Sequence, residues 1–212
     1  MNRGLLITFE GPDGSGKSTQ VELLKEYLNN KGYEVVFTRE PGGTFISEKI
    51  RKIILDNENI NMNPMCEALL YAASRAQLVS EVIKPAMKAG KMVICDRFVH
   101  SSIVYQGIGR NLGIERIKGI NDAAVDGLEP DLIFMLNISY EEGLKRKALQ
   151  KEFDRLENSG DKFHKDVFRG YEIIGKTYDN ISNIDASMDE EYIHEEIIKI
   201  LDAKLKRLNF IV

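Results

Sequence analysis

The chain has 212 residues, of which 43% are hydrophobic and 29% are charged, and its net charge is −4. This balance is typical of a globular protein that buries a sizeable core, and it excludes a disordered or collagen-like chain. The negative net charge argues against a protein that coats nucleic acid, because such a protein must neutralise many phosphates at once.

The sequence predicts neither a membrane segment nor an export signal. No apolar run approaches the roughly 18 residues that a bilayer-spanning helix requires. The first apolar stretch reaches Glu10 too early for a signal peptide. Cys66 and Cys95 are far apart and form no CxxC pair, and the three histidines are too scattered for a zinc site built by the protein. We therefore expect a cytoplasmic protein without a nucleic-acid or membrane partner.

Short apolar segments alternate with longer segments of helical period along the chain. This alternation predicts one α/β domain over residues 1–212, in which a five-stranded parallel sheet is flanked by helices. A segment at about 143–160 combines dense charge with weak apolar periodicity, so we predict a short mobile lid within that domain. The strands are predicted at 5–10, 34–38, 92–95, 132–136 and, weakly, 183–185. The helices are predicted at 18–31, 46–56, 65–89, 114–127, 139–150, 161–182 and 189–208.

A glycine-rich segment, GPDGSGKS at 11–18, lies between the first predicted strand and the helix after it. It matches the pattern GxxxxGK[ST], in which glycines allow backbone N–H groups to surround phosphate oxygens. The lysine of this pattern contacts the β and γ phosphates, and the hydroxyl after it can bind Mg²⁺. A turn that merely caps a helix is the alternative, but the motif and both flanking elements favour a site for ATP with Mg²⁺. The residues expected to bind ATP are Gly11, Pro12, Asp13, Gly14, Ser15, Gly16, Lys17, Ser18 and Thr19, and Ser18 is also expected to bind the metal.

A second polar pair, Asp96 and Arg97, follows the predicted strand at 92–95 directly. Open α/β sheets bind their ligands at the carboxyl ends of the strands, so we expect this pair beside the phosphates. Asp96 is expected to hold Mg²⁺ through water, and the guanidinium of Arg97 to bind a phosphoryl group. A salt bridge at the end of a strand is the alternative.

Several separate stretches within about 1–180 have distinctive sequences: FEGPDGSGKST, TREPGGT, LLYAASRAQLV, CDRFVHSSIVYQGIGR, EPDLIFML and GLKRKALQKEFDRLE. Together they resemble the bacterial thymidylate kinase family, whose members phosphorylate dTMP to dTDP with ATP. The chain lacks the NKxD-like segment with which a GTPase recognises guanine. The resemblance implies a dTMP kinase of dTTP biosynthesis that uses Mg²⁺ with ATP and forms a homodimer.

The resemblance implies a thymine pocket on two of these stretches. Tyr71 and Arg75 are four residues apart on one predicted helix and share a face, so a ring can stack on the base while a guanidinium donates to a pyrimidine carbonyl. The family more often has phenylalanine at position 71. By resemblance, Ser102 and Gln106 recognise the base, and Tyr105 favours deoxyribose over ribose.

Three further positions are assigned to dTMP by the resemblance. Asp13 contacts the 3′-hydroxyl, Glu40 lies beside the sugar and the metal, and Arg51 points at the monophosphate. Arg97, introduced above, also belongs to the expected dTMP pocket. The turn Pro-Gly-Gly after Glu40 keeps that carboxylate at the edge where the sheet binds ligands. The alternative for Glu40 is an acidic side chain in a solvated loop. The alternative for Arg51 is a solvated arginine on a helix. His100, at a position where relatives often have aspartate, is predicted to be a surface or capping residue without a role.

The predicted lid carries four basic side chains and one acidic side chain over 144–152, although the chain as a whole is acidic. Phosphoryl transfer depends mainly on cations placed around the transferring group, and it needs no general base here because the acceptor is already a phosphate oxygen. Some family members have an arginine in the glycine-rich segment at 11–18, the P-loop, at the position where this chain has Gly14. The resemblance therefore implies that lid arginines supply the positive charge around the transferring group. A solvated basic helix is the alternative. The expected catalytic residues are Lys17, Arg97, Arg146 and Arg155.

Two other functions remain open from the sequence. A kinase for another nucleoside monophosphate or for a deoxynucleoside would use the same P-loop, with Glu40 as the base if the acceptor were a hydroxyl. A noncatalytic module that senses nucleotides would also need the P-loop, but it would not need arginines in a lid.

Overall fold

The structure is a computed structural model that describes residues 3–147, 153–178 and 180–210. Its centre is a sheet of five parallel strands in the order β2-β3-β1-β4-β5. The predicted parallel sheet is therefore confirmed, and each strand lies within two residues of its predicted bounds. The strands are β1 (Leu6–Glu10), β2 (Val35–Arg39), β3 (Met92–Asp96), β4 (Leu132–Asn137) and β5 (Ile181–Asp185).

Helices connect the strands, and two segments of π-helix continue them. Val79–Ile83 joins α3 to α4, so the helix predicted at 65–89 is continuous in the structure. Ile103–Gly109 continues α5, and a 3₁₀ turn at Asn57–Asn59 follows α2. The α-helices are α1 (Lys17–Asn30), α2 (Phe45–Leu55), α3 (Pro64–Leu78), α4 (Lys84–Lys88), α5 (Val99–Ser102), α6 (Ile114–Val125), α7 (Tyr140–Lys147), α8 (Asp161–Thr177) and α9 (Glu190–Arg207).

The helix predicted at 161–182 is wrong at its end. α8 ends at Thr177, and Ile181 begins β5, where it pairs with Ile133 of β4. An isolated apolar residue fits a helical period and a strand equally well, so the pattern could not separate the two. Residues 148–150 of the helix predicted at 139–150 lie outside the described residues.

Helices cover both faces of the sheet, which is why its central strands are apolar almost throughout. Side chains alternate between the two faces along each strand. Phe9 and Ile94 pack in one cluster with Leu24 of α1 and Leu201 of α9. Cys95, the neighbour of Ile94, packs in another cluster on the opposite face. None of the helices within the described ranges is long and apolar enough to cross a bilayer.

The register of the sheet brings three strand ends together. Asp96 at the end of β3 pairs with Phe9 of β1 and with Arg39 of β2. The loops that follow these three strands therefore leave the sheet at the same edge. That edge carries the glycine-rich segment, Glu40 and the pair Asp96-Arg97.

The start of α9 gives a stability prediction away from this edge. Asp189 caps the helix, since its carboxylate accepts a hydrogen bond of 2.8 Å from the backbone N–H of Tyr192. We expect Asp189→Ala to lower the free energy of unfolding by about 1 kcal/mol, the usual loss for an N-cap. Urea denaturation measures the change. Asp189→Asn keeps an accepting oxygen and should retain most of the stability, so an equal loss in both variants would contradict this role.

Candidate active site

A cavity of about 480 Å³ opens where the loops after β1, β2 and β3 meet. One continuous space joins the glycine-rich segment to the side chains predicted to bind a base. Gly11, Pro12, Ser15, Arg146 and Arg155 are the predicted site residues outside its lining. The predicted residues that line it are Asp13, Gly14, Gly16, Lys17, Ser18, Thr19, Glu40, Arg51, Tyr71, Arg75, Asp96, Arg97, Ser102, Tyr105 and Gln106.

The glycine-rich segment places Lys17 at the wall of this cavity. The Nζ atom of Lys17 donates to the backbone carbonyls of Gly11 and Pro12, at 2.9 and 2.8 Å. Burial, together with the nearby charge of Arg97, lowers the pKa of Lys17 to about 8. Gly16 has a φ of 84°, and no described side chain caps α1. The first N–H groups of that helix are therefore left for an anion such as phosphate.

Arg97 bridges the glycine-rich segment and the wall beside it. Its Nη1 atom donates to the carbonyl of Gly11 at 2.9 Å and to the hydroxyl of Tyr171 at 2.8 Å, and Nη2 pairs with the carboxylate of Asp13. The ring of Tyr105 lies 5.3 Å from the guanidinium carbon. These contacts hold a permanent cation between the two ends of the cavity.

Arg75 and Glu40 form an ion pair that is almost fully buried. Arg75 is 1% exposed, and its Nε atom donates to Oε2 of Glu40 at 2.8 Å. Arg75 also donates to the hydroxyl of Ser102 at 3.0 Å and to the side chain of Asn121. Burial raises the pKa of Glu40, and the charge of Arg75 opposes that rise. Oε1 of Glu40 is buried without a hydrogen-bond partner in the described part of the chain, so it is left to accept from a ligand.

Asp96 and Ser18 line the cavity together and fit a divalent cation. Oδ1 of Asp96 is buried and has no hydrogen-bond partner among the described residues. The same residues contain no group of three or more histidine, cysteine, aspartate or glutamate side chains that could hold a metal by itself. A cation here would take most of its ligands from phosphate and water, as Mg²⁺ usually does.

Arg146, the first predicted lid arginine, lies beside the P-loop. A Cβ atom added to Gly14 would lie 3.5 Å from the Cβ atom of Arg146 and 2.8 Å from the carbonyl oxygen of Gly143. α7 therefore packs so closely on the loop that no side chain fits at position 14. Residues 148–152 of the predicted lid lie outside the described residues.

Arg155, the second predicted lid arginine, is bound within the protein by two buried groups. Only 6% of Arg155 is exposed, and its Nε atom donates to the carbonyl of Ile54 at 2.7 Å. Its Nη2 atom donates to Oε2 of Glu67 at 2.8 Å. These two groups hold the guanidinium of Arg155 outside the lining of the cavity. Its neighbours in the chain, Asp154 and Leu156, belong to that lining.

The prediction of His100 as a surface or capping residue is wrong. His100 is 8% exposed, and its ring packs edge-on against Tyr178 at a centroid distance of 5.4 Å. Its Nδ1 atom lies 3.8 Å from the carboxylate of Glu10. Burial, assisted by the charge of Arg75, lowers the pKa of His100 to about 4, so the ring is neutral near pH 7. It lies behind the cavity and not in its lining.

Glu67 and Tyr171 also bind residues of the site, although neither is predicted from the sequence. Glu67 accepts hydrogen bonds from Gln106 and Arg155, and Tyr171 holds Arg97. A signal for Glu67 was present, because it precedes Tyr71 by four residues and Arg75 by eight and therefore shares their face of α3. Tyr171 lies in an ordinary apolar helix pattern that gives no comparable signal.

A glycine-rich phosphate-binding loop that shares one cavity with the buried polar side chains of Arg75, Ser102 and Gln106 is the arrangement of a P-loop nucleoside monophosphate kinase. Comparison with known proteins identifies one family within this class of kinases. The thymidylate kinase family model matches residues 9–197. Thymidylate kinase of Finegoldia magna is 49% identical over 197 residues, which cover 93% of this chain and 97% of that protein. Thymidylate kinase of Caldanaerobacter subterraneus is 47% identical, covering 96% of this chain and 98% of that protein.

A solved structure agrees with these relatives. The crystal structure of thymidylate kinase from Ehrlichia chaffeensis superposes with a TM-score of 0.72 at 33% identity, covering 94% of this chain and 99% of that chain. The chain belongs to the thymidylate kinase family. The expected function, ATP-dependent phosphorylation of dTMP, is confirmed by this membership.

Proposed function

We propose that this chain transfers the γ-phosphoryl group of Mg²⁺-bound ATP to dTMP inside the single cavity described above. The main support for this function is that the cavity is continuous. It is lined by Lys17 at one end and by Arg75 and Gln106 at the other. ATP on the P-loop and a monophosphate in the pocket would meet beside Arg97, which contacts both parts.

Catalysis in this proposal comes from positioned cations. Lys17 and Arg97 stabilise the charge that spreads over the transferring group, and Arg146 adds charge from the lid. Asp96, through water, and Ser18 would hold Mg²⁺, with Glu40 nearby, and the bound cation would neutralise charge on the phosphate oxygens. No general base is needed, since the acceptor is a phosphate oxygen.

The remaining lining residues bind dTMP in this proposal. Arg75 and Ser102 donate hydrogen bonds to the base, Gln106 accepts one, and Tyr71 stacks on the ring. Tyr105 blocks the space that a 2′-hydroxyl would occupy. Arg51 is half-buried and lines the same cavity, which supports a contact with the 5′-phosphate. Asp13 binds the 3′-hydroxyl.

An acceptor panel tests this function. ADP release is measured with dTMP, thymidine, dUMP, dCMP and AMP, each with Mg²⁺ and with excess chelator. We expect dTMP to give the highest kcat/KM and the chelator to abolish turnover. Thymidine as the preferred acceptor would show a deoxynucleoside kinase. ATP binding without turnover on any acceptor would show a nucleotide-sensing module.

We expect replacement of the two predicted lid arginines, Arg155 and Arg146, to have different effects on stability and on kcat. Because Arg155 is held by Glu67 and by a backbone carbonyl, we expect Arg155→Met to lower the free energy of unfolding by about 1 to 3 kcal/mol. We expect Arg146→Met to leave stability nearly unchanged and to lower kcat more. Denaturation and steady-state kinetics of both variants test this. A larger loss of kcat in Arg155→Met would show that Arg155 leaves Glu67 during turnover.

We also propose a homodimer. α2 and α3 pack on each other and expose large apolar side chains, which include Phe45, Ile53 and Leu69. Light scattering should give about twice the chain mass of 24.1 kDa. Ile53→Glu should weaken the dimer, whereas Ile173→Glu, on the exposed face of α8, should not. A wild-type monomer at micromolar concentration would overturn this proposal.

The cytoplasm is the proposed location. Both cysteines are free thiols, Cys66 exposed and Cys95 buried, which is the usual state in a reducing compartment. Fractionation of cells that express the untagged chain tests the location, and enrichment in a membrane or secreted fraction would contradict it.

A further inference from the structure

Glu67 is a buried carboxylate with an unusually complete set of donors. It is 0% exposed and lies on α3 behind the substrate cavity. Oε1 accepts from Nε2 of Gln106 at 3.0 Å and from Nε of Arg110 at 3.2 Å. Oε2 accepts from Nη2 of Arg110 at 3.1 Å and from Nη2 of Arg155 at 2.8 Å. Two donors on each oxygen prevent the carboxylate from turning.

These donors also keep Glu67 ionised. Burial raises the pKa of the carboxyl group, but the hydrogen bonds from Arg110, Gln106 and Arg155 outweigh burial and lower the pKa below its usual value. An ionised carboxylate only accepts hydrogen bonds. Any amide beside Glu67 must therefore present its nitrogen to it.

The orientation of Gln106 follows from this constraint. With Nε2 bound to Glu67, the Oε1 atom points away from the carboxylate. Gln106 lines the substrate cavity, and its Oε1 atom is buried without a hydrogen-bond partner among the described residues. The cavity wall therefore holds a hydrogen-bond acceptor that a ligand donor can satisfy. A ligand acceptor at the same place would leave two acceptors facing each other, which lowers the affinity.

We propose that Glu67 is a positioning residue that selects the base of the acceptor by fixing the amide of Gln106. Thymine and uracil carry an N–H group between two carbonyls and satisfy the fixed oxygen, whereas cytosine presents a bare ring nitrogen at that place. This inference rests on the proposed function, since it assumes that the base lies against Gln106. The carboxylate does not touch the substrate and acts through the glutamine.

The test compares dTMP with dCMP in Glu67→Gln. The new amide can donate as well as accept, so it no longer dictates which way Gln106 faces. We expect the ratio of kcat/KM for dTMP to that for dCMP to fall by about 10 to 100-fold, the loss for one misplaced buried hydrogen bond. KM for ATP should stay unchanged. If Glu67→Gln does not fold, Glu67→Asp replaces it, because the shortened carboxylate no longer reaches Nε2.

Arg110→Lys is the matched control. It removes the two-point contact of the guanidinium with Glu67, but it keeps a positive charge beside the carboxylate and leaves the contact between Glu67 and Gln106 in place. A residue with only a structural role would lower the activity on dTMP and dCMP in equal proportion in both variants. We expect the ratio to hold in Arg110→Lys and to fall only when position 67 changes.

A double variant, Glu67→Gln with Gln106→Glu, tests the direction of the hydrogen bond. Position 106 then carries two accepting oxygens, so one faces the base whichever way it turns, and the amide at position 67 can donate to the other. We expect at least about a tenfold recovery of the dTMP preference over Glu67→Gln alone.

An unchanged ratio in Glu67→Gln, or no recovery in the double variant, would overturn the proposed role of Glu67. Failure of the wild-type enzyme to use dTMP would instead overturn the proposed function, so the two failures are distinguishable.

Discussion

Replacing Lys17 by methionine is expected to lower kcat by about 10³-fold, the effect of losing a charged donor aimed at the transferring group. Nζ of Lys17 is held by two P-loop carbonyls, at 2.9 and 2.8 Å, and it lines the cavity where the phosphates would lie. Because the group is buried, its charge acts in a medium of low polarity and is poorly screened. Steady-state assays with saturating ATP and dTMP measure the loss.

Lys25→Met is the control for this variant, because Lys25 lies on the same helix but pairs at the surface with Glu22. It should keep wild-type kcat, and an equal loss in both variants would contradict the assignment. The pH profile gives a second test. With a pKa of about 8, Lys17 is charged below that pH and loses its proton above it. We therefore expect kcat/KM for ATP in the wild type to fall as pH rises through about 8.

Replacing Arg75 by methionine is expected to lower the free energy of unfolding by about 3 to 5 kcal/mol, because the variant leaves the carboxylate of Glu40 buried without its counter-charge. It should also raise KM for dTMP more than it lowers kcat, since the contact with the base exists before and during transfer. Chemical denaturation and steady-state kinetics measure the two effects separately.

The double variant Glu40→Gln with Arg75→Met separates stability from binding. It removes both charges of the pair, so most of the stability should return while KM for dTMP stays high. If the single variant showed a defect in kcat alone, Arg75 would not be the residue that binds the base. If the double variant were as unstable as Arg75→Met, the ion pair would not be the source of the loss.

The sequence predicts the sheet and the phosphate loop because both depend on local patterns. The strands at the centre are buried on both faces and read as short apolar runs, and the P-loop needs its residues at fixed spacing along the chain. Resemblance adds the base pocket, and the structure brings Arg75, Ser102 and Gln106 into one lining. Their roles remain predictions for the experiments above.

The features that the sequence does not predict depend on contacts between residues that are far apart in the chain. Arg155 and Glu67 are separated by 88 residues, and Gln106 and Glu67 by 39. The charge pattern shows that the predicted lid is basic, but not which buried carboxylate binds one of its arginines. His100 looks like a surface residue for the same reason. Its burial depends on packing against Tyr178, which follows α8.

A crystal structure with ADP, dTMP and aluminium fluoride, which mimics the transferring phosphoryl group, would show directly whether the two substrates meet beside Lys17 and Arg97. We expect the fluoride group within hydrogen-bond distance of Lys17 and Arg97, with the thymine ring against Arg75 and Gln106. A thymine ring bound away from Gln106, or an Arg97 guanidinium turned away from the fluoride group, would contradict the proposed site.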